Sequence, residues 1–188
     1  MRDVLKNRER ALEYEFFHCV DEQLMARLRE KIELEEQAKA LADATGIVDD
    51  GVLAELVEIN VTAETIFALS LFPLVWIAWA DGSIEEEEFK AILAAAHSGG
   101  HERDTASHQL IENWLERRPD AKVQQAWKDY VHALCDVLTF EAVAALKQDI
   151  VARTRRIAEA AGGILGFHKV SRAQEAVLAE VTHAFTTG

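Results

Sequence analysis

Between Thr62 and Phe89 the chain reads TAETIFALSLFPLVWIAWADGSIEEEEF, an apolar run that ends at Asp-Gly and passes directly into a block of acid. No ionisable side chain lies between Glu64 and Asp81, and Phe67, Leu69, Leu71, Phe72, Leu74, Val75, Trp76, Ile77 and Trp79 leave almost no polar face. A helix that is apolar all round has to be buried. The run falls short of the ~18 to 20 residues that a membrane span needs, and Pro73 sits in its middle. It is therefore expected to be the central helix of a bundle, with no membrane insertion.

The chain's 188 residues suit one domain, or one domain with an extension, and are enough to bury a real core. With 49% hydrophobic residues, only two prolines and abundant Ala, Leu and Glu, the composition favours helix over sheet and argues against disorder. The formal net charge of -13 is unevenly placed: residues 49–104 hold twelve acids and two bases, residues 1–48 eleven and eight, and the remainder ten and ten. Such a field repels phosphate backbones, so no nucleic acid is expected, whereas cations and basic partners are attracted. The start, MRDVLKNRER, has no apolar core of the signal-peptide kind, which makes the cytoplasm the expected compartment. Cys19 and Cys135 each lie in an apolar pattern and read as buried free thiols.

In chain order, residues 3–45 carry a helical stripe of Leu5, Leu12, Phe16, Val20, Leu24, Leu28 and Ile32, and Gly46 supplies a stop. An unbroken helix of that length would be roughly 60 Å, so a break near Asp21 or near EKIELEE is expected. Asp49 or Asp50 caps a short helix over VLAELVEI, and Asn60 to Thr62 turn the chain into the central helix. The acid block opens a helix reaching about His97, and HSGGHERD reads as a loop. A helix over HQLIENWLERR stops at Pro119, Asp120 caps the next, Thr139 starts a long one ending in AAGGILG, and Ser171 caps the last. No strand pair is credible. The expected fold is all-α, a single bundle of about seven or eight helices over residues 49–188 with an N-terminal helical extension, residues 1–48, that packs on the bundle or projects from it.

Two segments, ADGSIEEEEFKAIL and GFHKVSRAQEAVL, form a weak internal repeat. Each has a turn, an isolated β-branched residue (Ile84, Val170), a cap position (Glu85, Ser171) and Glu or Gln three residues on (Glu88, Gln174). The first matches the second half of an EF-hand loop. The register places Ile77 and Trp79 where the first two calcium ligands belong, which excludes a standard EF-hand and leaves Asp81, Glu85 and Glu88 as carboxylates of a half-loop. The competing reading is purely structural. Acid in a first helical turn complements the helix dipole, Ser83 with Glu86 or Glu85 with Glu88 can cap, Ile84 can staple onto Phe89, and Glu86 with Lys90 is an ordinary (i, i+4) pair.

Three Glu/Asp-x-x-His fragments, Glu15 with His18, Asp129 with His132 and Glu180 with His183, have the spacing of di-iron bundle ligands. Their helical phases put them away from the apolar faces, so they read as surface residues. The G-x-x-G at Gly163 to Gly166 is read as a helix end rather than a nucleic-acid clamp, and Trp76, Trp79, Trp114 and Trp127 as core. No nucleophile elbow, phosphate loop or Cys/His metal spacing appears, so no catalytic residue is assigned and no enzyme activity is expected.

The residues VWIAWADGSIEEEEFKAIL, followed far downstream by AEAAGGILGFHKVSRAQEAVLAEV, resemble the tellurite-resistance TerB-like family and its relatives in the N-terminal domains of DnaJ-type membrane co-chaperones. The matching elements are the Ala-x-Ala-Asp-Gly corner, an apolar residue two after the Gly and a Glu four further on, over roughly residues 55–98 and 140–186. The resemblance implies an all-helical bacterial cytoplasmic protein with a stress-related or scaffolding role, no established catalysis, and an acidic cluster proposed to bind metal ions. By position that cluster falls on Asp81, Glu85 and Glu88. The expectation is thus a non-enzymatic helical protein whose acid corner takes a divalent metal ion or a basic partner. The alternative is a protein-protein interaction module or homo-oligomer scaffold without metal, contacting through the N-terminal helix.

Overall fold

The computed structural model describes residues 2–98, 105–160 and 170–186; of residues 2–23 and 98 it describes only the helical backbone. Nine helices and no strand occur among these residues: α1 (Arg2–Thr45), α2 (Asp50–Glu58), α3 (Ile66–Ser70), α4 (Phe72–Ala78), α5 (Glu86–Ser98), α6 (Ala106–Glu116), α7 (Ala121–Val137), α8 (Phe140–Ala160) and α9 (Arg172–His183). The chain is all-α, as composition and periodicity predict. No described helix is long and apolar enough to cross a membrane.

The apolar run is not one helix but two. Its first part ends at Ser70, and Leu71 (φ -93°, ψ -2°) serves as the last cap of α3 and the first of α4. Pro73 lies in the first turn of α4, where its missing N–H costs nothing; in a continuous helix that N–H would have bonded the carbonyl of Leu69. Counting α3 and α4 separately, the described bundle α2–α9 has eight helices, within the expected seven or eight, and α1 is the N-terminal extension. Phe72, Pro73, Leu74, Val75, Ile77 and Ala78 are buried, and α4 packs against α5, α6, α7, α8 and α9. Around it Phe72 meets Trp114 edge-on at 5.6 Å, and Trp76 meets Trp127 at 6.3 Å. The Trp79 indole N–H donates to the Trp114 carbonyl at 2.9 Å, joining the ends of α4 and α6.

The caps fall where residue types predict. Asp49 accepts from the Gly51 and Val52 N–H groups, Asp120 from Lys122, and Ser171 forms a complete capping box with Gln174. Thr105, one turn before the expected start, caps α6 by accepting from His108.

The expected break in α1 does not occur: the helix runs unbroken for 44 residues, roughly 66 Å of rise. No Gly or Pro lies between Arg2 and Thr45, and Gly46, at φ +76°, is the first residue that can turn the chain. The last turns of α1 belong to the bundle, where Leu41 is fully buried, Ala38 and Ala42 pack on the core, and α2 lies alongside. From residue 24 to residue 37 every side chain is exposed.

Candidate functional site

The acid corner joins α4 to α5. Its sharp turn uses Gly82 at φ +92°, and the Gly82 N–H donates to the Trp79 carbonyl at 3.1 Å. Glu85 then acts as the helix cap: its carbonyl accepts from Phe89 N–H at 3.0 Å, while its own N–H donates to Glu88 Oε2 at 3.0 Å. Ile84 and Phe89 both pack, half-buried, against the core. Glu86 pairs with Lys90 one turn on.

The corner's counterpart lies directly against it. In the second repeat segment the Ser171 N–H donates to Gln174 Oε1 at 3.0 Å, the same back-bond that Glu85 makes to Glu88. Ser171 Oγ donates to Asp81 Oδ1 at 2.8 Å, and Gln174 Nε2 donates to Glu88 Oε1 at 3.1 Å. Each cap residue of the repeat thus has its equivalent across the contact, and two hydrogen bonds tie the α4–α5 corner to the start of α9. The turn residues before Val170 and the Gly163–Gly166 segment lie outside the described residues, as does most of the HSGGHERD loop.

Of the three carboxylates singled out in the sequence, Asp81 and Glu85 are exposed and Glu88 is 2% exposed. Burial pushes the Glu88 carboxyl up to about 7; the neighbouring Glu85 and Asp81 charges add to that, while the Glu85 N–H and Gln174 oppose it. Both Glu88 oxygens already accept an N–H, so an ion there would have to share or displace those donors. Among the described residues no three His, Cys, Asp or Glu side chains are grouped as a set that could hold a metal. Ser171 and Gln174 complete this site, and only their positional match to Glu85 and Glu88 in the repeat signals it beforehand.

His132 and His183 are exposed, while Glu15, His18 and Cys19 lie among residues whose side chains are not described. Cys135 is a free, half-buried thiol whose pKa burial raises, with the Asp136 charge adding to it.

A second acidic site was not legible. Ile47, Val48 and Val52 from the α1–α2 junction face Ala133 and Val137 of α7 across a cleft of about 610 Å³. Asp49, Glu55, Asp129 and Asp136 stand around it with His132, and no Lys or Arg lines it. Burial, followed by a hydrogen bond to Asp129, holds the Glu55 carboxyl above its usual range. Asp49 and Glu55 are 74 to 87 residues from Asp129 and Asp136 in the chain, and the packing of α2 on α7 unites them.

A third feature is the outer face of α1. Leu24, Met25, Leu28 and Ile32 are 46 to 54% exposed. At about 100° per residue they share an arc of about 100°, with Arg29 on one flank and Lys31 and Arg27 on the other. Leu34, also exposed, falls instead in line with Ala38 and Leu41, which pack on the bundle.

Comparison with protein-family models, curated proteins and solved structures finds no match to this chain.

Proposed function

We propose that the chain is a non-enzymatic helical scaffold that self-associates through α1. One observation carries this: a row of four apolar side chains on a helix that extends beyond the bundle, each about half exposed and covered by nothing among the described residues. Single exposed Leu residues are ordinary, but a contiguous row on one face of a projecting helix matches a helix–helix interface. Light scattering on the intact chain is expected to give a mass above the monomer's 21.0 kDa. The triple substitution Leu24→Ser/Leu28→Ser/Ile32→Ser should return it to the monomer without loss of helical signal. An intact chain that stays monomeric at high concentration sinks the proposal.

A cation at the acid corner is the second reading, in keeping with the TerB-like resemblance. It is favoured by the shared contact of Asp81, through Ser171, and Glu88, through Gln174, with the start of α9, which holds these two carboxylates at one corner. Calorimetric titration of Ca²⁺, Mg²⁺, Mn²⁺ and Zn²⁺ into the wild type and Asp81→Asn/Glu88→Gln tests it. Heat that is absent, or identical in the two proteins, removes the ion and leaves the corner as a helix cap.

A further inference from the structure

We infer that the α1–α2/α7 cleft is the receptor for α1 of a second copy of this chain, which lays its Leu24–Ile32 face over the apolar floor and sets its bases against the cleft's acids. This pairing rests on the self-association proposed above and names the surface that α1 meets.

Three observations converge on it. The cleft has an apolar floor of Ile47, Val52 and Ala133, with Val48 (87% exposed) and Val137 (45%) at its rim. Its walls carry four acids with His132, and no Lys or Arg is among the described residues that line them. The nearby Lys122 is engaged elsewhere, on Glu58 at 2.6 Å. Conversely, residues 24–32 read LMARLREKI, three bases against one acid, in a chain whose net charge is -13. Arg27, Arg29 and Lys31 are exposed beside the apolar row, and the only described ion pair among them is Lys31 with Glu35 of the same helix, at 3.5 Å. A stretch of exposed bases flanking apolar side chains complements a cleft whose acids, facing no Lys or Arg in its lining, flank apolar side chains.

The occupant has to come from another copy. Lys31 lies fourteen residues before Thr45, the end of α1, roughly 21 Å along a rigid helix, and the first residue of the cleft, Ile47, follows two residues later. A chain cannot fold that segment back onto its own cleft without breaking α1. Two copies can exchange the contact reciprocally, each helix seated on the other's cleft, which closes the assembly as a two-fold dimer.

Charge reversal on the intact chain tests this by sedimentation equilibrium. One variant carries Glu55→Lys/Asp129→Lys, the other Arg29→Glu/Lys31→Glu. Each alone should dissociate at least tenfold more readily than wild type, since the first sets two lysines against the bases of α1 and cancels the cleft's net charge, and the second sets acid against acid. Mixed in equal amounts they should recover a 1:1 dimer, because one contact of that pair is then wild-type and the other sets the two new lysines against the two new glutamates. The near-isosteric Glu55→Gln/Asp129→Asn, checked for retained helical signal, should weaken the dimer without reversal and stands in if the lysine variant misfolds. A monomeric wild type overturns both this inference and the association itself. A wild-type dimer that either reversal leaves intact, or that the mixture fails to restore, overturns the cleft as receptor while α1 association stands.

Discussion

At the scale of single residues, Glu88 is the one whose chemistry departs furthest from a surface acid. Its carboxyl is held near 7, above the unfolded range, mainly by burial. The folded chain therefore binds a proton there that the unfolded chain has released, and stability falls as pH rises from about 4.5 towards 7. The full effect of this one group is bounded by about 3 kcal/mol, taking 1.36 kcal/mol per pKa unit. Glu88→Gln should flatten that part of the stability profile, so its advantage over wild type in urea unfolding is larger at pH 8 than at pH 5. Equal differences at the two pH values would show that Glu88 is not the group titrating. Gly82 is constrained by its backbone instead. At φ +92° with nothing within 4 Å of where a Cβ would stand, Gly82→Ala meets no clash. It should still cost roughly 1 to 2 kcal/mol through backbone strain alone. A measured loss well under that range would mean the turn relaxes.

Among the elements, the contact between the two caps makes α5 and α9 depend on one another. Ser171→Ala removes an N-cap, worth about 1 kcal/mol, together with an exposed bond to Asp81. Gln174→Ala should cost more, about 2 to 3 kcal/mol, because Glu88 Oε1 then loses its donor inside the protein while the Ser171 N–H loses its acceptor. Combining Gln174→Ala with Glu88→Gln should cost less than the sum of the two, and strict additivity in denaturant unfolding would refute the coupling. The caps themselves are legible in the sequence, since Asp49, Asp120, Ser171 and Glu85 announce helix starts by residue type and offset. Pro73 marks the division of the apolar run, although continuous hydrophobicity conceals that α3 and α4 are separate. Two features are not legible. The break in α1 was expected from compactness, but a stretch without Gly or Pro has no local reason to stop. The Glu55–Asp129 cleft and the Gln174–Glu88 bond arise from packing between distant segments, and a single sequence records such pairs only where a repeat hints at them.

For the whole molecule the question is which force holds two copies together. Each apolar side chain in the α1 row keeps about half its surface exposed, so covering it is worth about 1 kcal/mol. Four per copy in a reciprocal dimer give about 8 kcal/mol, against an association cost of roughly 4 to 15 kcal/mol. The row alone thus yields at best a weak dimer, and the opposed charges decide whether it forms. Salt separates the two contributions. Screening extends about 10 Å at 0.1 M and about 4 to 5 Å near 0.5 M, so charges across an open cleft lose most of their attraction between those conditions. Hydrophobic burial is not weakened by such screening. Raising NaCl from about 0.05 to 0.5 M is therefore expected to increase the dimer's Kd at least tenfold in sedimentation equilibrium. In Arg29→Gln/Lys31→Gln, which keeps the apolar row but removes two flanking bases, the Kd should start high and respond little to salt. A wild-type dimer that tightens with salt would place the interface on the apolar row alone, as in two α1 helices packed on each other away from the cleft.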